Sequence, residues 1–193
     1  MKILFVTSEC APFSKSGGLA DVAFSLPPAL KKTGDDIAII APYYQCTRER
    51  FGEEIKLVKQ TEVRLGERTM YCGLHRGELN GVTVWFIEND HFFHRPRLYG
   101  YGDDSLRFAF FCRAVIDLLG ELDFMPRVLH CNDWETALAI IYLKNDAVVR
   151  DELKDIKTVY TIHNIAYQGQ FGESEMTDVF ALPGGWYGGG LGY

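Results

Sequence analysis

Four short apolar runs constrain this chain more than any other feature. Residues 2–7, 36–41, 127–131 and 157–162 each set β-branched and aliphatic side chains on consecutive positions. Such runs are too short for helices; 2–7 and 36–41, apolar on successive residues, predict buried strands, and 127–131 and 157–162 predict two more strands. The stretches between them carry the helical period. Across 18–32, Leu19, Val22, Ala23, Leu26 and Leu30 fall at i, i+3, i+4, i+7 and i+11. Pro27-Pro28 interrupts that helix, and an interior proline costs about 3 kcal/mol, which predicts a kink or a restart with Pro28 in the first turn of a second segment. Thr33-Gly34 ends it. Residues 104–120 are apolar nearly all round and predict a buried helix; 133–144 form another. Strands alternating with helices imply an α/β chain with a Rossmann-like, doubly wound parallel sheet. From 55 to 88 the texture changes to alternating segments, 55–58, 62–65 and 82–86, with Asn80-Gly81 before the last. That dipeptide suits two successive positive-φ turn positions, so an antiparallel hairpin insertion is expected here.

At 193 residues the chain has room for one domain, placed at 1–183, followed by a tail at 184–193 in which six residues are glycine. A tail of that composition loses much backbone entropy on ordering and is expected to be poorly ordered. Twenty Lys and Arg stand against 26 Asp and Glu, a formal charge of −6, which argues against nucleic acid and anionic membrane as partners. No apolar stretch approaches the roughly 20 residues that span a bilayer. Met1-Lys2 runs directly into the first strand without a signal-peptide core, so a cytoplasmic location is expected. The five cysteines (10, 46, 72, 112, 131) are odd in number and widely spaced, which fits reduced thiols rather than a disulfide framework or a CxxC pair. His91-x-x-His94 has no second ligand pair beside it, so no metal site is expected.

In an open parallel sheet, ligands sit beyond the carboxyl ends of the strands. After the first strand comes Lys15-Ser16-Gly17-Gly18-Leu19-Ala20-Asp21. Paired glycines at a helix start let backbone N–H groups approach an anion, with Lys15 adding mobile charge; alternatively the segment is a glycine turn with Asp21 favourable to the helix dipole. It matches neither GxxxxGK[ST] nor GxGxxG, so nucleotide P-loop and nicotinamide readings fail. After 127–131 comes Asn132-Asp133-Trp134-Glu135. Asn132 and Glu135 have capping-box spacing, Asp133 is an alternative cap, and Trp134 continues an apolar stripe with 137, 138 and 141. After 157–162 comes His163-Asn164-Ile165-Ala166-Tyr167-Gln168-Gly169, a dense set of donors and acceptors beside an aromatic, as sugar sites require. All three clusters lie on one sheet edge.

At these residues the chain resembles the bacterial glycogen synthases and plant starch synthases, retaining glycosyltransferases of the GT-B fold. Lys15 to Val22 is similar to the family's K-[ST]-G-G-L-A-D-V signature. Ser8-Glu9, Ala11-Pro12-Phe13, His91-Phe92-Phe93, Arg95-Pro96, Leu98-Tyr99-Gly100, Asn132-Asp133-Trp134 and 161–169 follow in the family's order, over roughly 1–172. His94 stands where the family often has Asp, and Glu135 where many members have His. The resemblance implies two Rossmann-like domains about a cleft, of which this chain would be the N-terminal one, inactive alone without the C-terminal nucleotide-sugar domain. It implies Lys15, Gly17 and Gly18 toward the donor, ADP-glucose; His163 on the transferred glucose; and Asp21, Tyr99, Asp133, Trp134 and Asn164 on the acceptor side. Lys15 and His163 would be the catalytic pair. The chemistry would be glucosyl transfer to the non-reducing end of an α-1,4-glucan or maltooligosaccharide, with no cofactor and no metal. A non-catalytic glucan-binding or regulatory module of the same fold is the alternative.

Overall fold

The computed structural model describes residues 1–182; the predicted glycine-rich tail at 184–193 lies outside the described residues. Seven strands form one sheet. In chain order they are β1 (Lys2–Val6), β2 (Asp36–Pro42), β3 (Lys56–Leu65), β4 (Arg68–Leu79), β5 (Val82–Glu88), β6 (Val128–Asn132) and β7 (Lys157–Thr161). Their spatial order is β3-β4-β5-β2-β1-β6-β7. β5, β2, β1, β6 and β7 run parallel, while β4 pairs antiparallel with both β5 and β3. The order reverses at β1, so the chain winds first toward β2 and later toward β6. The helices are α1 (Gly18–Lys32), α2 (Gln45–Phe51), α3 (Asp90–Phe93), α4 (Asp104–Asp117), α5 (Trp134–Asp146) and α6 (Glu173–Asp178).

The alternation along β1 shows why its run is apolar throughout. Leu4 and Val6 join a core with α4 and α5, whereas Ile3 and Phe5 join a second core with Ala23 of α1 on the other face. Both faces are dry, which a strand of this composition requires. Three expectations are refined. First, α1 runs as one helix through Pro27 and Pro28 without a restart. Second, the antiparallel hairpin expected in 55–88 forms, β4 pairing antiparallel with both β5 and β3, and it is continuous with the main sheet. β5 is a parallel member of the main sheet beside β2, and 55–58 and 62–65 fall largely within the one strand β3. Third, β4 went unforeseen because Gly73 and Gly77 interrupt it. A Cβ at Gly73 would lie 2.3 Å from Glu88 Oε2, so the sheet needs a missing side chain there to seat the Glu88 carboxylate, which accepts the Tyr71 hydroxyl at 2.8 Å. The Asn80-Gly81 turn is as expected, with φ of 51° and 79°.

Between β5 and α4 the chain is held by Arg107, a fully buried side chain. Its Nε donates to the Phe92 carbonyl (2.8 Å) and Nη2 to that of Leu98 (3.2 Å), with Asp104 as ion partner. Arg95 grips Asp103 with two 2.7 Å bonds. These clamps fix the loop that carries Tyr99 and Tyr101 over the sheet's carboxyl edge.

Candidate active site

Two strand-to-helix turns flank the point where the sheet order reverses. In the first, Gly17 is the N-cap of α1 and supplies no capping side chain. Glu9, only 4% exposed, reaches across instead. Its carboxylate accepts the Ser16 amide (2.6 Å), the Ser16 hydroxyl (2.7 Å), the Gly17 amide (3.0 Å) and the Tyr99 hydroxyl (2.9 Å). The Gly17 N–H expected to face a donor anion is therefore engaged within the chain. A Cβ at either Gly17 or Gly18 would meet nothing within 4 Å, so internal packing does not demand glycine at these positions. Lys15 and Asp21, which the resemblance assigned to opposite substrates, pair with each other at 2.6 Å on the surface. An exposed pair of this kind is worth at most about 1 kcal/mol, and a charged ligand can readily displace it.

In the second turn, Asp133 is the N-cap of α5 at φ 58° and makes no side-chain cap bond. A non-glycine residue there is strained by about 1–3 kcal/mol, and such strain clusters at functional sites. The neighbouring strand holds it. The Asp133 amide donates to the Thr161 carbonyl (2.9 Å), and its Oδ1 accepts the amides of His163 (2.7 Å) and Asn164 (3.3 Å). The capping box expected of Asn132 and Glu135 does not form, because Asn132 is drawn into the sheet. Its Nδ2 donates to the carbonyls of Val6 (3.0 Å) and His130 (3.1 Å). Those carbonyls orient the amide so that Oδ1 faces His163 Nε2 at 2.9 Å, which places the proton on Nε2 and leaves Nδ1 as the acceptor of the neutral ring. Burial, foremost, and like-charge repulsion whenever both rings are protonated lower the pKa of nearby His130, whose Nε2 meets Thr161 Oγ1 at 2.8 Å.

Trp134 stands apart from the buried face of α5, which consists of Glu135, Thr136, Ala139, Tyr142 and Leu143. The expected stripe through 134, 137, 138 and 141 is half-buried and lines cavities. Trp134 packs edge-on against Phe108 (5.3 Å) and Phe171 (5.4 Å). Gly169, at φ 60°, lies so close to the indole that a Cβ there would sit 2.4 Å from a ring carbon. A cavity of mixed lining, the more polar of two and about 400 Å³ in volume, opens on one side of this partition, with Tyr101, Asp104, Trp134, Tyr167 and Gln168 in its wall. A more apolar one of about 180 Å³ lies behind it and reaches Glu135. Glu135 Oε2 has no hydrogen-bond partner, and burial raises its carboxyl from an ordinary 4.5 to about 8.

The structure thus gathers His163, Asn164 and Asp133 into one network, joins Lys15 to Asp21, and ties Tyr99 to Ser8 (2.8 Å) and Glu9. Of the expected acceptor residues, only Trp134 lines the more polar cavity. Sequence reasoning missed Glu9, Tyr101 and Asp104. Glu9 was signalled by being the single carboxylate between the end of β1 and Lys15, and Asp104 by Arg107 one helical turn later. Among the described residues, His, Cys, Asp and Glu form no group of three that would hold a metal ion, and no helix is long and apolar enough to cross a membrane.

The model of the starch synthase catalytic domain matches residues 2–190. The chain belongs to that family. It is 43% identical over 182 residues to a glycogen synthase of Anoxybacillus flavithermus and 46% identical over 182 residues to one of Streptococcus pneumoniae, in each case over 94% of this chain. It spans 38% of the length of these relatives. The catalytic domain of starch synthase IV from Arabidopsis thaliana, bound to ADP and acarbose, superposes with a TM-score of 0.81 at 31% identity, covering 92% of this chain and 37% of that one. The match to the family model includes the glycine turn and the 161–169 segment.

Proposed function

We propose that this chain is the donor- and acceptor-facing wall of a cytoplasmic, ADP-glucose-dependent glycogen synthase of GT-B architecture, completed by a C-terminal nucleotide-sugar domain. One observation carries the proposal: in a chain of this family, the glycine turn, the His163–Asn132–Asp133 network and the Trp134 cavity meet at the carboxyl edge beside the sheet's reversal. The ADP and acarbose on the starch synthase relative support a nucleotide and a carbohydrate as ligands.

In the reaction, the bond from glucose C1 to the ADP phosphate breaks, the glucan 4-hydroxyl oxygen bonds to C1 with retained configuration, and the hydroxyl proton leaves with ADP. Lys15, released from Asp21, offsets charge growing on the leaving phosphate, a preorganised electrostatic contribution. The Gly18 N–H is left to the donor once Gly17 is held by Glu9. His163 presents its ring to the transferred glucose with the tautomer fixed by Asn132. Asp133 positions His163 and Asn164, and Trp134 offers an aromatic face to the glucan. The test is glucosyl transfer from ADP-glucose and UDP-glucose to maltooligosaccharides by a full-length protein containing this domain. Lys15→Ala should lower kcat about 10²-fold and leave glucan KM unchanged. Unaltered kcat would remove Lys15 from the mechanism, and glucan binding without transfer would favour a binding module.

A further inference from the structure

We propose that Glu9 is the positioning residue of the donor turn, and that Tyr99 serves Glu9 rather than the glucan. The inference rests on the functional reading above and assigns a role to two side chains within it. An ionised carboxylate offers about four lone-pair sites. Glu9 fills them with two amides and two hydroxyls, all neutral donors between 2.6 and 3.0 Å. Its backbone is clamped as well, the Glu9 carbonyl accepting Thr7 Oγ1 at 2.7 Å. A charge buried to this depth is tolerated only while its hydrogen bonds persist. The carboxylate therefore cannot shift without dragging Ser16 and Gly17, and the turn cannot shift without exposing an unsatisfied charge. Glu9 also places a negative group at the N-terminus of α1, where the helix lacks a capping side chain of its own.

Two consequences distinguish this arrangement from a purely structural cap. The turn reaches the donor through Gly18 and Lys15, held at a fixed distance from β1 by Glu9. Tyr99, its hydroxyl shared between Ser8 Oγ and Glu9 Oε1, has no hydroxyl hydrogen left for a sugar.

The experiment uses the full-length protein containing this domain and compares Glu9→Gln, Glu9→Asp, Ser16→Ala and Tyr99→Phe. Glu9→Gln removes the charge, and with its one oxygen kept on the Ser16 and Gly17 amides its NH₂ faces the Ser16 and Tyr99 hydroxyls, which must turn from donors to acceptors. It should lower kcat/KM for ADP-glucose about 10²-fold, the cost of misplacing a positioned group by an ångström, with glucan KM unchanged. Ser16→Ala and Tyr99→Phe each remove one donor and should give smaller losses of the same kind, and Glu9→Asp should recover part of the Glu9→Gln loss. The amide proton resonances of Ser16 and Gly17 should move upfield in Glu9→Gln, a readout that needs no turnover. If Glu9→Gln fails to fold, the two single-donor variants carry the test. Unchanged donor kcat/KM with only a lowered Tm would overturn the proposal, as would a Tyr99→Phe enzyme with raised glucan KM, or unmoved amide resonances. A wild-type protein without transfer, in which the amide shifts still appear, would overturn the functional reading and leave the role of Glu9 in the turn standing.

Discussion

The two strand-to-helix turns at the sheet's reversal solve the same problem by opposite routes. Each opens a helix whose N-cap makes no side-chain bond to the helix itself, and in each a carboxylate gathers a pair of backbone amides. At α1 the carboxylate is Glu9, buried, and the amides belong to the helix start itself. At α5 it is Asp133, strained at φ 58°, and the amides belong to the segment after β7. The first turn is thereby rigid yet stripped of side chains on its open face. The second spends its side chain on aligning the next segment. On the proposed function, the first turn leaves room for backbone to approach the donor and the second brings several segments into register for the acceptor.

The largest expected effect comes from Glu135, the carboxyl of the second turn that has no counterpart to the four donors on Glu9. Its folded value of about 8 against an ordinary 4.5 means the native state holds a proton that the unfolded chain has released. The unfolded state therefore binds fewer protons between these values, and the stabilising contribution, full below about pH 4.5, is lost as pH rises toward about 8. Glu135→Gln imitates the neutral acid and should abolish that decline, with a gain over wild type of roughly 4 kcal/mol at pH 8 and little at pH 4.5. Urea melts across this range decide it. A Glu135→Gln curve parallel to wild type would mean the carboxyl ionises in place, and the contrast with Glu9 would collapse.

Next in size is Asp133. Asp133→Ala leaves the His163 and Asn164 amides without their acceptor and keeps a Cβ at positive φ, so it should cost about 2 kcal/mol. Asp133→Asn should recover most of that, since Asn tolerates positive φ and still offers an oxygen. Thermal melts of both variants measure the difference. Equal losses would show that charge, rather than geometry, holds the second turn, and would erase the distinction drawn between the turns.

These expectations mark where the sequence is legible. The parallel sheet, the hairpin at Asn80-Gly81 and the glycine turn could be read because each depends on neighbours in the chain. Glu9 could not be placed, since its partner Tyr99 is 90 residues away and is brought over β1 by the Arg95 and Arg107 clamps. The capping box at Asn132 was lost for a related reason: a bond to the Val6 carbonyl, 126 residues away, competes better than a local cap. β4 was hidden because its glycines serve Glu88 and Ile55 on other segments rather than strand propensity. The chemistry-bearing residue types were visible; their pairing, Lys15 with Asp21 and Tyr99 with Glu9, belongs to tertiary structure.

The smallest expected effect on stability is also the sharpest test of why the first turn is bare. Gly17 sits at φ −144°, extended backbone that any residue adopts, and a Cβ there meets nothing within 4 Å. Alanine is a poorer N-cap than glycine, but it also removes freedom from the unfolded chain, and the two effects oppose each other. Gly17→Ala should therefore change stability by less than about 0.5 kcal/mol. The amide bond to Glu9 survives, since the backbone is unchanged. If the open space belongs to the donor, the added methyl must intrude on it, and overpacking of this kind costs about 1–3 kcal/mol, a rise in ADP-glucose KM of roughly ten- to a hundredfold. Steady-state kinetics of the full-length protein beside a thermal melt separate the two quantities. A variant with unchanged melt and raised donor KM assigns the bare face to the ligand; one with both unchanged would mean that glycine at 17 serves neither packing nor substrate, and the first turn would then differ from the second only in where its carboxylate comes from.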